Sequence, residues 1–356
     1  MKKYKWSTHK IVKETENTIT IYFDTTKQAL TYLPGQYLNI KCVINRELVI
    51  RSYSFSSKPS DEFPSITVKR VAGGKMSNHL IDNAVSISSW EIEAPFGQFV
   101  LEKQLAAHSQ IVLLAGGSGI SPLFSMLKSI NKSEKTPLLI YGNKSPEETI
   151  FWNELEVMRA DGKLNPYYSF TSDEFVSSKI NHIAGRISPL LLHSIIGKQV
   201  TMLEAAHYYI CGPAGLMKLY QEALLRLNIP PEQIHTEYFS PVPEENLAFE
   251  NRSRSKDIIV TYSKDHYINN EVQTYECTSL IEVKASQSLL DAMNEHHIQV
   301  MSSCKNGTCG TCWALKTDGK VRMVNNHALT EQDISDGIIL LCHRYPKDEE
   351  VVRSLS

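Results

Sequence analysis

No stretch of the 356 residues approaches the roughly 20 consecutive apolar residues needed to cross a bilayer, so a membrane span is not expected. There is no excess of either charge: 37 basic residues stand against 39 acidic ones, a formal net charge of -2, and nothing proposes nucleic acid as a partner. Cysteine is scarce, seven in the whole chain, and the charged opening Met1-Lys2-Lys3-Tyr4-Lys5 shows no apolar signal segment. A secreted disulfide framework is therefore set aside, and a cytoplasmic setting is expected. Internal repeats and long low-complexity tracts are missing as well. What is present, 42% hydrophobic and 21% charged residues, is the composition of a globular protein too long for one small domain.

Four of the few cysteines are grouped. Cys304, Cys309 and Cys312 follow the spacing Cys-x4-Cys-x2-Cys, and Cys342 stands a short way downstream. That is the spacing of a plant-type 2Fe-2S ferredoxin, in which four thiolates hold two irons. Gly307 and Gly310 suit a loop wrapped round a cluster, where backbone must take positive φ and turn its amides to the sulfurs. Structural zinc usually shows two Cys-x2-Cys pairs, or one pair with two histidines, and fits less well. His343 beside Cys342 could hint at a Rieske-type ligand, but four cysteines already complete the set. Cys42 and Cys277, in strand-like runs, read as ordinary packed thiols.

Along the chain, the first hundred residues read as antiparallel β. Runs rich in β-branched and aromatic residues recur at 18–23, 37–43, 48–55, 66–71 and 90–94, divided by turns such as Pro34-Gly35 and Gly73-Gly74, with one short helix over 77–81. Many short strands imply a closed barrel rather than an open sandwich. From about Gln110 strands and helices alternate: strands at 111–115, 137–141, 166–171 and 208–211, with a helix over 122–130 after the first. That alternation implies a parallel, doubly wound sheet. The polar, proline-containing stretch 241–255 reads as a linker. Beyond it come strands at 258–262 and 276–283, a helix over 288–296 and the cysteine loop. The expected domains are 1–105, 106–240 and 256–356. From Lys256 onward 10 basic and 14 acidic residues stand, an acidic module compatible with docking to a basic partner.

Two turns carry chemistry. Gly116-Gly117-Ser118-Gly119-Ile120-Ser121-Pro122 hands a strand to a helix N-terminus, where bare backbone and the helix dipole attract phosphate. It lacks the full Gly-x-Gly-x-x-Gly pattern. Cys211-Gly212-Pro213 closes a strand at the carboxyl edge, where open α/β sheets bind ligands. The plainer alternatives are an ordinary glycine turn and a buried strand-end thiol.

With Arg51-Ser52-Tyr53-Ser54, Gly73-Gly74-Lys75-Met76-Ser77, Pro95-Phe96-Gly97, the Gly-Gly-x-Gly turn, Cys211-Gly212-Pro213 and the cluster cysteines in this order, the chain resembles the ferredoxin-NADP reductase superfamily. The likeness is to the oxygenase-reductase type with a C-terminal ferredoxin. It implies an antiparallel β-barrel flavin domain, an α/β doubly wound nicotinamide domain and an α+β, β-grasp-like ferredoxin domain. Carried over by position, Arg51 would pair with the FAD pyrophosphate, Tyr53 would lie on one face of the flavin ring, and Ser54 would bond near its reactive nitrogen. Gly74, Lys75, Met76 and Ser77 would cradle the pyrophosphate. Gly116, Gly117, Ser118, Gly119, Ser121 and Pro122 would receive the nucleotide. Cys211, with Gly212 and Pro213, would orient the nicotinamide, while Glu237 would stand near the hydride path and Phe239 on the second flavin face. Tyr238, adjacent, leaves open which aromatic stacks.

The resemblance implies electron flow from NAD(P)H through FAD and the 2Fe-2S cluster to an acceptor protein. Flavin belongs in the middle because hydride carries two electrons and the cluster accepts one. The segments Val321-Arg322-Met323 and Asn326-His327-Ala328-Leu329-Thr330, ahead of Leu340-Leu341-Cys342, look most like those of phenylacetyl-CoA epoxidase reductases and their relatives, and that resemblance implies an oxygenase or hydroxylase with a di-iron centre as acceptor. Alternatives are the same electron chain serving a fatty-acid desaturase or hybrid-cluster protein, or a non-catalytic redox-sensing flavin and iron-sulfur protein. NADPH and NADH stay open: Lys144 could meet a 2′-phosphate, and Asp173 could repel one or bind a ribose hydroxyl.

Overall fold

The structure, a computed structural model, describes residues 2–25, 28, 30–102, 105, 109–130, 135–172, 181–239, 255–268, 271–284, 287–305, 307, 309–318, 321–323, 326, 328–346 and 350–353. The described residues up to 239, apart from 96–98, form one compact unit, and those from 255 onward, with 96–98, form a second. The linker expected over 241–255 lies outside the described residues except for Ser255.

Six strands open the first unit: β1 (Lys2–Thr15), β2 (Thr18–Asp24), β3 (Tyr37–Ile44), β4 (Glu47–Ser54), β5 (Ser65–Lys69) and β6 (Trp90–Phe96), with helix α1 (Lys75–Asn83) after β5. They lie in the order β4-β3-β6-β1-β2-β5. The sheet curls until its edges touch at one antiparallel bridge, Phe55 to Ile66, continued by Ser56 N–H donating to Ser65 O at 2.8 Å. The expected barrel is thus a curled sheet closed along a short seam. Phe23, Leu38, Ile40, Phe55, Ile66 and Trp90 form its core, each at 1% exposure or less. A large apolar side chain so buried contributes about 1.5–3 kcal/mol.

β1 went unseen in the sequence, since its lysine-rich run has no alternation and only Trp6 and Thr15 of it are buried. It is a strand because partners lie along it: Lys2 to Trp6 pair with β6, and Ser7 to Thr15 with β2. Hydrogen-bond pairing, rather than burial, defines it.

The rest of this unit is a parallel sheet of β7 (Ile111–Gly116), β8 (Leu138–Asn143), β9 (Asn165–Phe170), β10 (His182–Ala184), β11 (His207–Cys211) and β12 (Ile234–Glu237). Its order is β10-β9-β8-β7-β11-β12 and every neighbouring pair is parallel. Helices α2 (Ile120–Ser129) and α3 (Trp152–Ala160) pack into a core on one face, and α4 (Pro189–Gln199) and α5 (Ala214–Arg226) into a core on the other. Burial from both sides explains why β7 reads as an unbroken apolar run. Strand order reverses between β7 and β11, the switch point outside whose carboxyl ends such sheets hold ligands. Those ends are Gly116 and Cys211. α2 also ties this sheet to the first: Ser125 Oγ donates to Ser57 O at 2.5 Å, and Lys128 Nζ reaches Asp61 Oδ2 at 3.2 Å.

The second unit contains β13 (Lys256–Ile268), β14 (Glu271–Val283), β15 (Trp313–Asp318), β16 (Val321–Met323), β17 (Ile338–Leu340), β18 (Arg344–Pro346) and β19 (Glu350–Arg353), with helices α6 (Leu289–Glu295) and α7 (Glu331–Ser335). A five-stranded mixed sheet, β14-β13-β19-β15-β17, packs against α6 through Ile258, Val260, Leu290 and Met293. This is the expected α+β fold, though the β13–β14 hairpin runs well past both expected strands. Among the described residues no helix is long and apolar enough to cross a membrane.

Candidate functional site

In the second unit the loop from α6 to β15 presents three of the four cysteines, and the tight turn after β17 presents Cys342. Leu341 N–H donates to Cys312 O at 2.9 Å and pins the two segments together. Lys305, Gly307 and Gly310 all take positive φ, 52°, 70° and 70°, so the loop curls on itself; at Lys305 this costs strain that a glycine would avoid. The sulfurs come together in twos. Cys304 N–H points at Cys309 Sγ at 3.4 Å and Cys309 N–H at Cys304 Sγ at 3.3 Å, while Cys312 hydrogen-bonds Cys342. Cys309, Cys312 and Cys342 are buried and Cys304 is half-buried.

The Cys309 and Cys312 thiols are held well above the ordinary thiol range, first by the hydrogen bond with the neighbouring thiol and then by burial. Iron would have to displace those protons. Among the described residues no three His, Cys, Asp or Glu side chains converge where one ion would sit. Two pairs of thiols suit two irons, each taking two thiolates, better than a zinc site that draws four donors to one ion. One group had not been singled out in the sequence: the Thr311 hydroxyl is buried beside the Cys309 sulfur and hydrogen-bonds it, which opposes the rise of that thiol.

In the first unit the carboxyl ends of β7 and β11 nearly touch. A Cβ on Gly119 would fall 2.2 Å from Cys211 O, one on Gly116 2.8 Å from Pro213 Cδ, and one on Gly212 3.0 Å from Gly116 N. These glycines are therefore required by close packing of the two turns. Gly117 differs. Its φ is +51° and, among the described residues, nothing but Lys69 Nζ comes within 4 Å of the place of a Cβ. Below it, the Tyr141 hydroxyl donates to Gly117 O at 2.9 Å. α2 begins at Ile120, two residues before the expected start, so Pro122 sits inside its first turn and Ser121 Oγ donates back to Ser118 O at 3.0 Å.

Cys211, the last residue of β11, lies opposite Ala115 on one side and Glu237 on the other. Ser54, at the end of β4, donates from Oγ to Glu237 Oε2 at 3.1 Å, and all three side chains are buried. Burial pushes the Glu237 carboxyl up to about 8, against a smaller lowering by the Ser54 hydrogen bond. Burial, and then the nearby Glu237, push the Cys211 thiol well up. Burial thus disfavours the charged form of both the thiol and the carboxyl. Tyr238 is tied to α5, its hydroxyl donating to Gln221 Oε1 at 2.6 Å, whereas Phe239 is 44% exposed. Phe239 is the aromatic of this pair available for stacking.

Toward the expected flavin site, Arg51 is exposed, with Nη1 donating to Ile50 O at 2.7 Å. Tyr53 pairs with Leu38 across the sheet, and burial raises its phenol above the ordinary range. Lys75 pairs with Glu47 at 2.7 Å on the surface, and Met76 is buried. The Ser77 hydroxyl turns into the loop, accepting from Val71 N–H at 3.2 Å. What α1 offers an anion is consequently backbone amide. Lys144 Nζ lies 3.5 Å from Glu148 Oε1, and Asp173 and His327 are outside the described residues.

Three family models match in order: an oxidoreductase FAD-binding domain over residues 5–101, an oxidoreductase NAD-binding domain over 113–222, and a 2Fe-2S iron-sulfur cluster binding domain over 275–347. The ferredoxin reductase component of 3-ketosteroid-9-alpha-monooxygenase from Mycolicibacterium smegmatis is 30% identical over 351 residues, covering 96% of this chain and 94% of its own. A subunit of 1,2-phenylacetyl-CoA epoxidase from Escherichia coli is 27% identical over 350 residues, covering 96% and 95%. The glycine betaine monooxygenase reductase subunit from Pseudomonas aeruginosa is 27% identical over 368 residues, covering 96% and 93%. In fold, the chain is similar to phthalate dioxygenase reductase, with a TM-score of 0.57, 21% identity and 99% and 97% of the two chains covered.

Proposed function

The chain belongs to the flavin- and 2Fe-2S-containing ferredoxin reductases that serve oxygenases, and from that premise we propose what each part of it does. The protein is an NAD(P)H-dependent oxidoreductase that delivers electrons through FAD and a 2Fe-2S cluster to an oxygenase. The observation that carries the hydride half is the meeting of Ser54, Cys211 and Glu237 at the switch point. Bound FAD supplies the conversion between two-electron and one-electron chemistry, and the cluster takes the electrons singly.

The residues do the rest. Arg51 would pair with the flavin pyrophosphate, and Tyr53 and Phe239 would hold the flavin ring. The turn Gly116 to Pro122 binds the nucleotide phosphates at the start of α2, and Tyr141 fixes the tilt of its Gly117 peptide. Cys211, uncharged and packed at a strand end, orients the nicotinamide. Glu237 keeps its proton at neutral pH and so puts no negative charge beside the group that must accept hydride. Cys304, Cys309, Cys312 and Cys342 would hold the 2Fe-2S cluster. The domain limits 1–105, 106–240 and 256–356 accompany this division of labour.

For the acceptor, we favour a di-iron oxygenase of the phenylacetyl-CoA epoxidase kind, working in the cytoplasm. The likeness to the Escherichia coli epoxidase protein along nearly the whole chain supports this. Anaerobic titration with NAD(P)H, followed by absorption and EPR, tests the reductase reading. Flavin bleaching with a plant-type 2Fe-2S signal is expected, and a reduced protein without that signal refutes it. Product formation by purified oxygenases of the epoxidase, ketosteroid and glycine betaine systems tests the acceptor, and coupling to the epoxidase alone is the expected result.

A further inference from the structure

The helical ladder of α1 begins where Asn78 N–H donates to Gly74 O at 3.2 Å. The amides of Lys75, Met76 and Ser77 stand ahead of it with no carbonyl inside the helix to take, and Gly74 provides no side-chain cap. An open helix end holds an anion well only if the carbonyls of the same turn point elsewhere, because a carbonyl oxygen aimed at a phosphate repels it. The carbonyls of Val71 and Gly74 belong to this turn, Gly74 N–H donating to Val71 O at 2.9 Å. Asn78 Nδ2 donates to both, at 3.2 Å to Val71 O and 2.8 Å to Gly74 O. Its Oδ1 accepts from Arg70 Nη1 at 2.9 Å. A guanidinium can only donate, so the amide oxygen must face Arg70 and the amide NH2 must face the carbonyls. Arg70 is itself held by Asp82, one turn beyond Asn78, through Nη2 to Oδ1 at 2.6 Å and Nη1 to Oδ2 at 3.4 Å.

We propose that Arg70, Asn78 and Asp82 are positioning residues for the flavin pyrophosphate: the Asn78 amide, oriented by Arg70, adds a second donor to the Val71 and Gly74 carbonyls that the Gly74 and Asn78 N–H groups already hold, and so locks the loop to the start of α1 with its first amides open to the anion. None of the three touches the phosphates. Asp82 occupies the Arg70 guanidinium, which acts as a brace and not as a phosphate ligand. This rests on the reading of the α1 start as the pyrophosphate cradle.

The test uses the full chain with flavin released and then rebound, with FAD and riboflavin compared by the quenching of flavin fluorescence. Riboflavin has the ring and no phosphate. Asn78→Ala is expected to weaken FAD about tenfold or more, the equivalent of one or two lost hydrogen bonds, and to leave riboflavin unchanged. Unchanged FAD affinity overturns the proposal. So does an equal loss with riboflavin, which would mark a general structural role. Arg70→Gln provides a second variant and is expected to cost FAD less than Asn78→Ala; a greater loss would make Arg70 a direct phosphate ligand and overturn the brace. Should the unaltered protein bind FAD no better than riboflavin, the cradle reading itself falls and the clamp with it.

Discussion

Glu237 and Cys211 are titratable groups held neutral at one strand edge, and their environment sets how the hydride half responds to pH. The Glu237 carboxyl, raised from 4.5 to about 8 by burial, binds its proton more tightly folded than unfolded. Its contribution to stability is therefore complete below about pH 4.5 and is lost as pH rises through about 8. Glu237→Gln should flatten that loss, as thermal unfolding at pH 6 and pH 9 would reveal. The same variant should remove the decline in flavin reduction rate that ionisation brings near pH 8 in the parent, measured by stopped flow. Cys211→Ala should slow flavin reduction by on the order of 10- to 100-fold with flavin content unchanged, since the loss is of nicotinamide alignment. Cys211 was legible from its place in Cys-Gly-Pro and from the family likeness. The raised pKa of Glu237 was not, because it follows from burial that only the fold creates, a burial that outweighs the opposing hydrogen bond from Ser54, a residue 183 positions away.

Among the elements, α2 does two jobs. Its start follows the nucleotide turn, and its opposite end ties the parallel sheet to the curled one through Ser125 and Lys128. Lys128 also lies 4.9 Å from the Phe124 ring centroid, and its ammonium is held below the ordinary lysine range by burial, with Asp61 opposing the shift. Asp61→Asn leaves that charge unpaired. The expected cost is about 1–2 kcal/mol, below the figure for a fully buried pair because both side chains keep some solvent, and should appear as a fall of a few degrees in Tm. Tyr141→Phe removes the prop beneath Gly117 and should raise the KM for NAD(P)H about three- to tenfold while turnover is kept, by steady-state kinetics. Periodicity revealed β7 and β8 because burial from both faces writes a continuous apolar run. It missed β1, whose lysines face water while its backbone pairs with two strands, and β12, only four residues long.

For the molecule as a whole, the division into a hydride half and a cluster half predicts that the two can be separated. Cys304→Ser should abolish the 2Fe-2S EPR signal and the reduction of an oxygenase or cytochrome c, while NAD(P)H-dependent ferricyanide reduction at the flavin continues. Spacing by itself pointed to the cluster, because the four cysteines and their glycines lie within one loop and one nearby turn, where distance along the chain limits distance in space. Order of motifs established the three functions and their sequence. Folding alone decided the rest: that β4 ends at the carboxyl edge of a sheet built much later in the chain, so Ser54 meets Glu237; that the glycines at 116, 119 and 212 serve strand-end packing as well as any phosphate; and that Asn78 turns back on the loop preceding its own helix. These contacts join residues whose types are unremarkable one by one, and the constraint that selects them, burial with every polar group partnered, exists only once the chain is closed upon itself.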